Sequence, residues 1–134
     1  MKRPDILLVD DDAGMLQLLA MRLGALNYTT RCANSGTEAL QLIRQELPDV
    51  VITDLRMEEM NGLALFERIH MDWPTLPVII ITGYSNIKTA VEVIKLGAMD
   101  YVTKPLLPDE ILLTIRKALN QASEDKEKDG DTST

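Results

Sequence analysis

Short apolar runs recur along the chain at residues 6–9, 28–33, 50–53, 78–81 and 101–103. Runs this short, separated by stretches of helical spacing, predict strands joined by helices around a parallel sheet. Residues 6–9, 50–53 and 78–81 are almost continuously apolar, so they are expected centrally, with both sheet faces covered. Tyr28, Thr29, Thr30, Arg31 and Cys32 make a more polar run that suits an edge. Leu16, Leu19, Leu23 and Leu26 form an apolar stripe behind Asp12, a good N-cap, and predict a first helix over residues 13–26. Ser35 and Glu38 stand at capping-box spacing and Pro48 supplies a stop, which predicts a second helix over 36–47. Leu63, Phe66 and Ile69 mark a third. Residues 87–96, closed by Gly97 at C′, mark a fourth, and 108–122 a fifth. Strict alternation of five strands and five helices predicts an α/β, doubly wound fold.

Length and composition narrow this picture. With 134 residues, 46% of them hydrophobic and only 4% aromatic, the chain fits one domain with a Leu, Ile, Val, Met and Ala core. The net charge of −7 opposes attraction to nucleic acid or anionic lipid, so direct binding to either is not expected. Cys32 is the only cysteine, which rules out an internal disulfide and, with no zinc-ligand spacing, suits a reducing cytoplasm. The apolar run after Pro4 and Asp5 is too short for a signal-peptide core or a membrane span. Residues 123–134 carry five acidic residues against Lys126 and Lys128 with no apolar stripe, so the domain is expected to end at 122 and a polar tail or linker stump to follow.

In open parallel sheets, ligands bind beyond the carboxyl ends of the strands. Here those ends carry Asp10, Asp11 and Asp12, then Asp54, then Thr82, then Lys104 and Pro105. If the first and third strands are neighbours, Asp10, Asp11 and Asp54 crowd together and repel unless a cation intervenes. Oxygen ligands without nearby His or Cys suit Mg²⁺, the implied cofactor. A carboxylate beside such an ion can accept a phosphoryl group, with Asp54 the nucleophile, Lys104 a compact positive charge and the Thr82 hydroxyl a donor to the transferred group.

The series Ile6-Leu7-Leu8-Val9-Asp10-Asp11-Asp12, Asp54-Leu55-Arg56-Met57 with Asn61-Gly62, Thr82-Gly83, and Asp100-Tyr101-Val102-Thr103-Lys104-Pro105 closely resembles the receiver domains of two-component response regulators, over about residues 4–120. The resemblance implies a flavodoxin-like (βα)5 sheet of order 2-1-3-4-5 and a cis Lys104-Pro105 bond. It implies Asp54 as phosphoacceptor, catalysing only its own phosphorylation and dephosphorylation. It places Asp11, Asp54 and the Arg56 carbonyl around Mg²⁺, with Asp10 acting mainly through water. It implies a sensor histidine kinase as partner, a switch pairing Thr82 with Tyr101, and an output surface on helix four, strand five and helix five that draws on Ile87, Ala90, Val91, Ile94, Tyr101 and Leu113. The regions 81–85 and 104–106 look like receivers joined to an ATPase and a helix-turn-helix DNA-binding domain in enhancer-dependent transcriptional activators, which implies control of transcription and a homodimer on phosphorylation. Two departures stand out: Glu58 where receivers often carry Pro, and Gly83 where Ala is usual. Arg56 and Tyr84 occupy variable positions that bear on the lifetime of the acyl phosphate.

Simpler readings compete. The acidic run could be a helix start, Thr82 a cap for the fourth helix and Lys104 a solvated turn residue. His70 reads as a surface or helix-end residue, Cys32 as a small packed side chain, Trp73-Pro74 as a loop anchor and the methionines as core filler. Other functions compete as well. Asp10-x-Asp12 after the first strand suggests an Asp-nucleophile phosphohydrolase of haloacid-dehalogenase type, though it explains Asp54 poorly. A flavin carrier would need a phosphate-binding loop where three aspartates stand. A phosphorylation-independent interaction domain of the same shape is the third alternative.

Overall fold

A computed structural model describes residues 3–57, 60–83 and 86–132, with backbone alone at 108 and 122–132. Five strands, β1 (Asp5–Val9), β2 (Thr29–Ala33), β3 (Val50–Asp54), β4 (Val78–Thr82) and β5 (Asp100–Thr103), alternate with α1 (Ala13–Ala25), α2 (Gly36–Gln45), α3 (Gly62–Asp72), α4 (Ile87–Lys95) and α5 (Pro108–Thr132). The strands form one parallel sheet of order β2-β1-β3-β4-β5. The three apolar runs are its central strands and are buried throughout. Their alternate side chains feed two cores. Leu7, Val9, Val51, Val78 and Ile80 pack with Leu40, Ile43, Leu65, Phe66, Ile69, Ala90 and Val93 of α2, α3 and α4. Ile6, Leu8, Ile52, Ile79, Ile81 and Val102 pack with Leu16, Leu19, Leu23, Ile111, Ile115 and Ala118 of α1 and α5. Each of the larger side chains contributes roughly 1.5–3 kcal/mol on burial, which is why both faces of such strands must be covered.

Local signals fix the helix starts. Asp12 caps α1 by accepting from the Met15 N–H at 3.1 Å. Ser35 Oγ accepts from the Glu38 N–H at 3.1 Å, whereas Glu38 reaches back to the Asn34 N–H at 3.3 Å, one residue earlier than a capping box places it. Gly97 has φ +124°, as expected of a residue closing α4.

Several expectations are corrected. α1 stops at Ala25 because Asn27 turns the chain with φ 70°, a conformation Asn tolerates. α2 stops at Gln45 because Glu46 is already extended ahead of Pro48. α5 does not end at 122 but runs to Thr132. The polar segment offers no stripe to pack, but it contains no proline, and Glu124, Lys126, Glu127 and Lys128 are good helix formers, so the helix runs on through it, Gly130 included. Cys32 is exposed on the edge strand rather than packed. Partial desolvation, with Glu38 nearby, pushes its thiol pKa up and keeps it poorly reactive. No described methionine lies fully inside. Met57, Met60, Met15 and Met99 sit at the core margins, while Met21 and Met71 are exposed, since β-branched and Leu side chains already fill the interior. Trp73 packs against the first core from the α3–β4 loop, and the exposed His70 stacks on Phe66 with ring centroids 5.2 Å apart.

At the opposite end of the sheet from the acidic cluster, Arg31 holds β1, β2 and α2 together. Its guanidinium donates to Asp5 at 2.7 and 3.4 Å and to the carbonyls of Leu42 and Glu46 at 3.0 and 2.8 Å, covering the C-terminal end of α2. Asp5 is buried, so losing this partner strands a carboxylate. Arg31→Met is expected to lower stability by about 3 kcal/mol, read as a lower midpoint in urea at unchanged slope.

Candidate functional site

The parallel register brings the predicted residues to one edge. Val9 pairs with Thr53, and Asp54 with Ile81, so Asp10 and Asp54 leave adjacent strands at the same level. The Asp10 N–H is held by the Ala33 carbonyl at 3.1 Å, and the Lys104 N–H by the Thr82 carbonyl at 2.8 Å, which fixes both outer walls. Lys104-Pro105 is cis. Lys104 Nζ reaches across β4 to Asp54 Oδ2 at 2.8 Å, while the Arg56 N–H donates to Asp54 Oδ1 at 3.1 Å. Asp54 is only 5% exposed, so this carboxylate is held at both oxygens in a nearly dry setting.

Asp10 is 2% exposed. Its Oδ1 accepts from the Asp12 N–H at 3.0 Å, but Oδ2 is buried without a hydrogen-bond partner among the described residues. Burial is the main reason its pKa is raised from 3.8 to about 6, and the Asp54 charge adds to the effect. For Lys104, burial acts against the charged form, but the hydrogen bond and charge of Asp54, with the charges of Asp10 and Asp12, outweigh it and raise the pKa. The Lys104 contribution to stability is therefore complete at neutral pH and is lost only in strong alkali.

Asp11 is exposed and lines an open cleft of about 490 Å³, together with Arg56, Met57, Asn61, Asn86 and Thr89. Thr82 is 1% exposed and donates to the Gly83 carbonyl at 3.1 Å. The cap position of α4 belongs to Asn86, so Thr82 is not that helix's cap. Through the Ile80–Tyr101 and Thr82–Thr103 pairs, Thr82 and Tyr101 share the sheet face that meets α4, and the half-buried Tyr101 packs against that core. Of the other residues expected on the output surface, Val91 and Leu113 are exposed and Ile87 and Ile94 half-buried. Ala90 is fully buried under α4 and does not belong to it. Glu58 and Tyr84 lie outside the described residues. Gly83 has open space where a Cβ would stand, so its described neighbours would admit the commoner Ala.

Three residues carry more than their sequence signals suggested. Asn61 caps α3 by accepting from the Ala64 N–H at 2.8 Å. The Gly62 N–H donates to the Leu55 carbonyl at 2.8 Å, and a Cβ there would lie 2.6 Å from the Asp54 carbonyl oxygen and 2.8 Å from the Leu55 Cα. Both obstacles are backbone, so Gly62→Ala is expected to push α3 away from the Asp54 segment and cost roughly 1–3 kcal/mol, measurable by thermal melting. Thr53, a hydroxyl within an apolar run, is fully buried beside the same peptide. The Asn61-Gly62 pair was legible only as part of the family resemblance, and Thr53 had no signal beyond its polarity.

The profile of the response regulator receiver domain family matches residues 6–116. The chain is a response regulator receiver domain. The receiver is 44% identical over 115 residues to the transcriptional regulatory protein ZraR of Escherichia coli (strain K12), covering 86% of this chain and 26% of that protein. It is 42% identical over 122 residues to the transcriptional regulatory protein GlrR of the same strain, covering 91% and 28%. The receiver domain of NtrX from Brucella abortus superposes with a TM-score of 0.83 at 37% identity, covering 87% of this chain and 98% of that one. The receiver thus spans about a quarter of the length of the curated relatives it matches. Family and fold together favour the receiver reading over a phosphohydrolase with Asp10 as nucleophile. Among the described residues, no helix of the receiver is long and apolar enough to cross a membrane.

Proposed function

We propose that the receiver takes a phosphoryl group from a sensor histidine kinase onto Asp54, with Mg²⁺ bound by Asp11, Asp54 and the Arg56 carbonyl and with Asp10 acting through water. The observation that carries this reading is the buried Asp54 carboxylate, held by Lys104 and the Arg56 N–H beside a second buried carboxylate, Asp10, with an oxygen unpartnered among the described residues. An oxygen-only donor set suits a hard cation. Among the described residues no three His, Cys, Asp or Glu side chains are arranged to hold a metal ion, so the expected crowding of Asp10, Asp11 and Asp54 is not seen and the Arg56 carbonyl and waters would have to complete the site. When bound, Mg²⁺ supplies neutralising charge for the phosphoryl oxygens.

The residues divide the work. An Asp54 carboxylate oxygen attacks phosphorus, the bond from phosphorus to the donor imidazole nitrogen breaks, and that nitrogen keeps the electron pair and is protonated. Lys104 follows the negative charge from Asp54 Oδ2 to a phosphoryl oxygen. Thr82 exchanges the Gly83 carbonyl for another phosphoryl oxygen, which draws its loop inward. Tyr101, on the same sheet face, then moves into the vacated space and alters the surface of α4, β5 and α5. Water later hydrolyses the acyl phosphate. The whole protein is a cytoplasmic transcriptional regulator whose ATPase and DNA-binding domains, and whose dimerisation, respond to this change.

Acetyl phosphate or beryllofluoride, added with and without Mg²⁺, tests the reading. One phosphoryl group per chain by intact mass, and a shifted spectrum with beryllofluoride, are expected only with the metal. A chain inert under both conditions is the result expected of a phosphorylation-independent interaction domain.

A further inference from the structure

The peptide joining Asp54 to Leu55 is where β3 ends and the catalytic loop begins, and it is held at both of its polar atoms. Its N–H, on Leu55, donates to the Ile81 carbonyl of β4 at 3.0 Å. Its carbonyl, on Asp54, accepts from Thr53 Oγ1 at 3.0 Å. The first residue of α3 closes over the same peptide, since the space a Cβ on Gly62 would need is taken by the Asp54 carbonyl oxygen and the Leu55 Cα. Thr53 is 0% exposed, and Val51 and Leu55, two residues to either side of it, belong to an apolar core. A buried hydroxyl there must donate to something or lose the hydrogen bond it had in water. Packing alone would be served as well by Val, which has the same shape.

We propose that Thr53 is a positioning residue of the phosphoacceptor site, its hydroxyl fixing the plane of the Asp54–Leu55 peptide, which links the Cα carrying the Asp54 carboxylate to the segment that leads to Arg56. This rests on the reading of Asp54 as phosphoacceptor. Tilting that plane swings the Asp54 side chain relative to Lys104, and it moves the Arg56 N–H that donates to Asp54 Oδ1. A misplacement of this kind acts on the reacting groups while leaving the core packed.

The test compares Thr53→Val, Thr53→Ser, Thr53→Ala and Asp54→Asn with the wild-type chain. The readouts are the Mg²⁺-dependent rate of phosphorylation by acetyl phosphate, the hydrolysis rate of the acyl phosphate, the Mg²⁺ affinity by calorimetry and the metal-free Tm. Loss of one hydrogen bond predicts about tenfold slower phosphorylation in Thr53→Val, with weaker Mg²⁺ binding and a metal-free Tm lowered by a few degrees. Thr53→Ser is expected to recover most of the rate. Ser and Ala both lack the methyl group, so their difference isolates the hydroxyl even if Thr53→Val folds poorly. Equal rates in Thr53→Ser and Thr53→Ala, or a wild-type rate in Thr53→Val, would overturn the role. If Asp54→Asn is labelled as fast as wild type, or wild type is not labelled at all, the phosphoacceptor assignment fails instead.

Discussion

Asp54→Asn is expected to reduce phosphoryl incorporation from acetyl phosphate by at least about a thousandfold while leaving the fold intact. The amide keeps the carboxylate's shape, and its oxygen still accepts from the Arg56 N–H, so the loop has no reason to move. It has no negative oxygen to attack phosphorus, and it leaves Lys104 without the charge that holds it at 2.8 Å. Two opposing effects should keep the Tm within a few degrees of wild type. The Lys104 pair is lost, but Asp10 is relieved of a like charge. Intact mass after incubation with Mg²⁺ and donor gives the incorporation, and a melting curve gives the fold. Label that survives Asp54→Asn but vanishes in Asp10→Asn would revive the phosphohydrolase reading.

Asp10→Asn is expected to stabilise the metal-free protein at pH 7. The folded-state pKa of Asp10, about 6, lies above its ordinary 3.8, so the folded protein binds this proton more tightly than the unfolded chain does. The resulting stability is fully present below about pH 4 and is lost as pH rises through 6, a change of roughly 3 kcal/mol at most. Asn removes the charge and keeps an oxygen for the Asp12 N–H, but it leaves an amide N–H₂ where Oδ2 has no partner among the described residues. The net gain is about 2 kcal/mol, or roughly 6 °C in Tm. Melting from pH 4 to 7 in EDTA should show wild type declining and the variant nearly flat, with Mg²⁺ restoring wild type more than the variant. A flat wild-type profile would mean that Asp10 is not the strained group.

Much of the fold was legible because its signals are local. Uninterrupted apolar runs at β1, β3 and β4 announced strands covered on both faces, and Asp12, Ser35 and Gly97 announced helix ends through hydrogen bonds to neighbours three or four residues away. The site was legible for a related reason. Asp10 and Lys104 directly follow β1 and β5, Asp54 and Thr82 are the last residues of β3 and β4, and in a parallel sheet all strand ends of one sense lie on one edge. Burial was harder to read. The exposure of Cys32 and Met71 and the burial of Ala90 depend on which element covers which, information that is spread over the whole chain.

The sequence alone determined the alternation of strands and helices and the edge that gathers the carboxylates and the lysine, and it carried the expectation of phosphoryl chemistry there. Only the tertiary structure decided that Asp10 keeps an oxygen without a partner among the described residues, that α3 leaves no room for a side chain at position 62, and that the Thr53 hydroxyl reaches the Asp54 carbonyl. Periodicity and capping act between neighbours along the chain, so residue order encodes them directly. Distances between groups on different elements arise only when those elements pack, and packing is settled by all the contacts at once.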